Sequence, residues 1–169
     1  MTDNPFKIFG YLFAIICMTI LPLLLIFNNN DITVKSYLNN SVQMFVDEAR
    51  GSGYITPEAY QTFVDELTAI NDSYTVKIEH KSKYIQPTGT GTGYTVAYKY
   101  YNETDILDYM FPDSSTRNIY NMKNGDFIKV SVISKNYSLG SRFLGAITGS
   151  GYGIRNSASA AGYVGNSYQ

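Results

Sequence analysis

The chain has 169 residues, a formal net charge of −1, one cysteine and no tryptophan. A balance this close to neutral leaves no electrostatic footprint for nucleic acid. A lone cysteine, Cys17, excludes an internal disulfide framework and leaves the rest of the chain without thiolate chemistry.

The first segment is Ile8 to Phe27, IFGYLFAIICMTILPLLLIF, 20 residues with no charged side chain. As a helix it covers about 30 Å, the thickness of a bilayer's hydrocarbon core. A cleaved signal peptide expects a shorter apolar core and a small-x-small cleavage site. The exit here is Ile26-Phe27-Asn28-Asn29-Asn30-Asp31. A soluble core helix expects polar residues on its outer side, and none interrupts this run. A retained anchor is the preferred reading, with residues 1–30 as tail and transmembrane anchor and 31–169 as one extracytoplasmic domain. Lys7 beside the anchor favours a cytoplasmic N-terminus and an extracellular C-terminal domain. Pro22, which lacks an N–H, is expected to kink the helix or loosen one turn. Gly10, Ala14, Cys17 and Thr19 are small or weakly polar positions where another helix can approach.

Asp31 is a candidate N-cap for a second helix, Ile32 to Arg50, either separate or continuous with the anchor. Val34, Leu38, Val42, Phe45 and Ala49 make its apolar stripe. Gly51 and Gly53 end it. Thr56-Pro57-Glu58 starts a third helix, with Tyr60, Phe63, Val64, Leu67 and Ile70 apolar; the short connection predicts a helix pair.

After Asn71 and Asp72 the period changes to two. Tyr74, Val76, Ile78 and His80 alternate with Thr75, Lys77, Glu79 and Lys81, predicting a strand with one wet face. A Gly-rich loop with Gly89, Gly91 and Gly93 leads to Tyr94–Tyr101, the expected partner in a long hairpin. Thr104 is the expected cap of a short helix, Asp105 to Phe111. Lys123-Asn124-Gly125-Asp126 is the clearest tight hairpin turn, between Asn118–Met122 and Phe127–Ser134. A short helix holds Leu139, Phe143, Leu144 and Ile147, and the tail from Ile154 can add a last strand.

The residues that carry chemistry are sparse. His80 is the only histidine, so a multi-histidine metal site is excluded, and its inward position reads as structural. The Gly89-x-Gly91-x-Gly93 run lacks both the dinucleotide and the phosphate-loop spacing. Neither a cofactor nor a metal is expected. Asn39, Asn71, Asn102 and Asn136 each open an Asn-x-Ser/Thr sequon, which matters only in a glycosylating host. Tyrosine is abundant, at 16 residues. Tyr94, Tyr98, Tyr100, Tyr101, Tyr152 and Tyr163 are the candidate partner contacts, since a tyrosine packs its ring while its hydroxyl stays hydrated.

The order of features resembles the single-pass, pilin-like proteins of type IV-related systems, with the TadE-like pseudopilins of Tad/Flp pilus loci as the nearest look-alike. From Ile32 to His80 it is similar to small membrane proteins of Firmicutes. The residues concerned are Phe45-Val46-Asp47-Glu48-Ala49-Arg50, Gly53-Tyr54-Ile55-Thr56 and Tyr74-Thr75-Val76-Lys77-Ile78-Glu79-His80, with Gly125-Asp126, Val130 and Val132 in a later strand. The resemblance implies an α+β, pilin-like fold: a transmembrane helix, an amphipathic helix pair and a small antiparallel sheet. It implies a non-enzymatic structural or assembly role, with the lipid bilayer and other pilin-like or secretion-apparatus subunits as partners. Prepilins are cut after a glycine that most follow, five residues on, with glutamate. Gly10 is followed at that distance by Ile15, so an unprocessed accessory component is expected rather than a major fibre subunit. The alternative readings are a membrane-tethered binding or sensory domain using the tyrosines, and a tethered hydrolase built on His80.

Overall fold

The computed structural model describes residues 5–70, 73–88, 93–113, 116–149 and 153–166. Gly89, Gly91, Asn71, Asp72 and Tyr152 fall outside them. The fold is α+β, with a pilin-like layout: a long N-terminal helix, then shorter helices and antiparallel sheets. Contacts divide the chain into two compact units, Met1–Val34 with Tyr137–Asn156, and Lys35–Asn136 with Ser157–Gln169.

Helix α1 runs Pro5–Ser52, 48 residues, with Pro22 inside it. There is no break at Asn28, Asn29 and Asn30. Asparagine costs a helix roughly 0.7 kcal/mol against alanine, which weakens the helix without breaking it. Asp31 is therefore not the N-cap of a second helix. The first part of α1 is long and apolar enough for a single membrane span or a signal sequence, and none of that window is buried. The Thr19 hydroxyl bonds to the Ile15 carbonyl at 2.9 Å, which satisfies it within the helix.

In the first unit, helix α4, Leu139–Thr148, lies against α1. The Asp31 carboxylate accepts from the backbone N–H groups of Leu139 at 3.1 Å and Gly140 at 2.9 Å. The rings of Phe27 and Phe143 meet at 5.0 Å. Both contacts step by one turn, backwards along α1 and forwards along α4, so the helices run antiparallel.

In the second unit the C-terminal part of α1 supplies the expected stripe. Leu38, Val42, Phe45 and Ala49 are buried, joined by Val46. The helix ends on Gly53, whose φ is +78°. Thr56 caps α2, Pro57–Thr68, by accepting from Ala59 N–H at 3.0 Å. Phe63 of α2 stacks on Phe45 at 4.4 Å and 13°, so the predicted helix pair forms. Helix α3, Glu103–Met110, is capped by Asn102 rather than Thr104. The Asn102 side chain accepts from Asp105 N–H, while the Asp105 carboxylate accepts from Asn102 N–H, a reciprocal box.

The large sheet has the order β3-β2-β5-β6, all neighbours antiparallel, from β2 Tyr74–Pro87, β3 Tyr94–Tyr101, β5 Phe127–Ser134 and β6 Ser157–Tyr163. A two-stranded sheet pairs β1, Tyr54–Ile55, with β4, Tyr120–Asn121. The 123–126 turn is tight, with Gly125 at φ +85°, but it does not close a hairpin. Both edges of β5 are taken, by β2 and β6, so β4 leaves for the small sheet. The inner face of the large sheet (Val76, Ile78, Ile128, Val130, Val132, Ala158 and Ala160) is buried.

Candidate interaction surface

Directly opposed residues of an antiparallel pair share a face. The β2–β3 register opposes Lys81 to Tyr100, Lys83 to Tyr98, Ile85 to Val96 and Pro87 to Tyr94. On the same outer face Lys81 also opposes Phe127 of β5, and Phe127 opposes Tyr163 of β6. One row, Tyr100–Lys81–Phe127–Tyr163, therefore crosses all four strands. Tyr94, Tyr100 and Tyr163 are 76%, 69% and 69% exposed, so this is a surface and not a second core.

Contacts along the row hold it in shape. The Lys81 ammonium lies 4.1 Å from the centre of the Tyr98 ring and 5.4 Å from that of Tyr100. Such cation–π pairs are worth about 0.5–1 kcal/mol each at exposed sites. Phe127 and Tyr163 meet edge to face at 5.3 Å. Lys81, Lys83, Tyr98, Gly125, Phe127 and Tyr163 line a groove of about 410 Å³. An aromatic floor with two ammonium groups at its wall suits polar, partly anionic partners.

Tyr94, Tyr98, Tyr100 and Tyr163 thus come together on one face. Tyr101 falls on the opposite face of β3, stacked on His80 at 5.3 Å. Gly10, Ala14 and Pro22 are exposed on α1, and Cys17 is half-buried. Sequence reading missed Lys81, Lys83 and Phe127 as members of the surface. Lys81 was already on the wet face by alternation, but only the strand register brings it beside Tyr98.

His80 has partners that no spacing announced. It is buried on β2, with Nε2 3.0 Å from the Asp126 carboxylate and Nδ1 2.7 Å from the Tyr120 hydroxyl. Asp126 also accepts from Ser82 Oγ at 3.0 Å, Lys83 N–H at 3.1 Å and Lys123 N–H at 2.9 Å. The Asp126 carboxylate, accepting from these donors, also takes the Nε2–H of a neutral ring. Nδ1 is then left to accept from the Tyr120 O–H. Burial lowers the His80 pKa from its ordinary value, against the pull of the Asp126 hydrogen bond and charge. Burial also raises that of Tyr120, helped by Tyr101, Asp126 and Asp105. Tyr120, His80 and Asp126 are only 8%, 3% and 1% exposed. A substrate therefore has no approach to them in this conformation, and the cluster acts as a polar clamp joining β2, β4 and the 123–126 turn. Among the described residues no group of three or more His, Cys, Asp and Glu is placed to hold a metal ion.

No protein-family model matches the chain, and no curated protein or solved structure matches it either.

Proposed function

We propose that the protein is a non-enzymatic, membrane-anchored, pilin-like component of a type IV-like (Tad/Flp) pilus or a related surface or secretion apparatus. In this reading α1 crosses the cell membrane once, with its N-terminus cytoplasmic, and the C-terminal domain lies outside. The observation that carries it is the division of α1. One unbroken helix has an unburied apolar stretch of bilayer length and, farther on, the buried stripe Leu38–Ala49 beneath an antiparallel sheet. The outer-face row of Tyr100, Lys81, Phe127 and Tyr163 would contact neighbouring subunits. The edge of β3, unpaired in this sheet, offers a place for a neighbour's strand. The test is cross-linking in native membranes followed by purification of the full chain. Co-purified pilus or secretion subunits support the reading, and a monodisperse monomer with no partner opposes it.

A second reading is a membrane-tethered binding domain, favoured by the groove between Lys83, Tyr98 and Phe127. It predicts that the purified chain, with no other subunit present, binds an acidic peptide or glycan, and that Lys81→Ala with Lys83→Ala abolishes this.

A further inference from the structure

We propose that helix α4, Leu139–Thr148, is a second membrane element, a short helix that enters the acyl-chain region beside α1. The proposal rests on the reading of α1 as a membrane span. Its direction follows from the two contacts that pin α4 to α1: the Leu139 and Gly140 N–H groups on Asp31, and Phe143 on Phe27. Asp31 lies just past the end of the apolar stretch. From there α4 points back along it, and ten helical residues reach about 15 Å. That takes Ile147 to the level of Leu23 on α1, inside the apolar stretch. On the turns of α1 opposite α4, Leu24, Phe27 and Asp31 are half-covered at helical spacing, while Leu23, Leu25, Ile26 and Asn28 around them are exposed.

The segment is equipped for low dielectric. Its first four backbone N–H groups, which any helix leaves orphaned, are all satisfied. Ser138 donates to the Ile154 carbonyl, Leu139 and Gly140 donate to Asp31, and Ser141 donates to Ser138 Oγ. The Thr148 hydroxyl bonds inward to the Leu144 carbonyl at 2.8 Å. Leu139, Leu144 and Ile147 remain 44%, 48% and 48% exposed beside α1, a surface that water disfavours and acyl chains accept. This surface is continuous with the exposed apolar side chains of α1, which is why lipid is the occupant chosen.

Polar contacts hold the residues around the start of α4. Ser138 N–H donates to the Ile154 carbonyl at 2.9 Å, and Ile154 N–H donates to Ser141 Oγ at 2.8 Å. Arg155 lies over the Tyr137 ring at 5.1 Å. An aromatic ring with a guanidinium is a usual anchor at head-group height. Arg142 is the only Lys, Arg, Asp or Glu between Tyr137 and Ile154. It is exposed on the first turn of α4, from where its side chain reaches the head groups.

The test uses the full chain with Cys17→Ala, reconstituted in phosphatidylcholine vesicles. Single cysteines at Leu144→Cys, Ile147→Cys and, on α1, Ile16→Cys carry an environment-sensitive fluorophore. Nitroxides on the acyl chains and iodide in the water serve as quenchers. The expected result is loss of most fluorescence to the acyl-chain nitroxides at all three sites, with little loss to iodide. Quenching by iodide at 144 and 147, with site 16 still lipid-quenched, overturns the proposal and leaves the span intact. Shielding of 144 and 147 from both quenchers also overturns it, because a second copy then covers α4. Iodide quenching at all three sites overturns the span as well.

Discussion

The Asp126 carboxylate and the His80 ring are hydrogen-bonded at 3.0 Å with both side chains buried, and this pair ties the 123–126 turn to the middle of the largest strand. Asp126 satisfies donors from Ser82, Lys83 and Lys123 as well. Removing it strands all of them. Asp126→Ala is expected to cost about 1–3 kcal/mol for the buried His80 donor left without an acceptor, and more for the part-buried donors stranded with it. Gly125→Ala meets no atom within 4 Å, so its cost is conformational only, about 1–2 kcal/mol for an L-residue held at positive φ. Urea unfolding of the detergent-solubilised chain measures both. A smaller loss for Asp126→Ala than for Gly125→Ala would contradict the clamp.

Stability should fall as the solution is acidified below the ordinary histidine pKa, about 6.5. The folded His80 resists protonation because burial lowers its pKa. Below that pH the unfolded chain binds a proton that the folded chain refuses, so the unfolded state gains. The contribution is fully favourable above the ordinary value and is lost down to the depressed folded one. Thermal unfolding of the wild type and His80→Gln, compared between neutral and mildly acidic pH, isolates this. The variant should show a shallower decline, and parallel curves would count against it.

The core and the surface should separate cleanly in mutants. Phe63→Ala removes a ring stacked on Phe45 and is expected to cost about 3–5 kcal/mol. Tyr98→Ala and Tyr100→Ala, on the exposed face, should each cost no more than about 1 kcal/mol, the worth of one exposed cation–π pair. The same tyrosine variants should lose cross-linked partners in native membranes. Retained partners with both rings removed would redirect attention from this face.

Asp31 and Gly140 should behave as one unit. A Cβ on Gly140 would lie 2.6 Å from Asp31 Oδ2, so Gly140→Ala displaces the carboxylate. Asp31→Ala loses a cap from a neighbouring helix, worth about 1 kcal/mol by analogy with an N-cap. Either change should speed amide exchange at 139–142, and the double variant should be no faster than the worse single one. Fully additive rates would show that the two residues act separately.

Much of this architecture was written in short-range pattern. The uncharged stretch Ile8–Phe27, the stripe from Leu38 to Ala49, the Thr56-Pro57 start and the alternation from Tyr74 to His80 depend only on residues within a turn or two of each other. Local periodicity alone is enough to specify which side of each element is apolar. Three features lay beyond that reach. Asp31 serves α4, more than a hundred residues on. His80 meets Asp126 and Tyr120 across three elements. The Tyr100–Lys81–Phe127–Tyr163 row needs three strand registers at once. In each case a side chain's partner is decided by which strand or helix the backbone packs beside it, and in the sheet a register shifted by one residue would turn the strand side chains of the row to the other face.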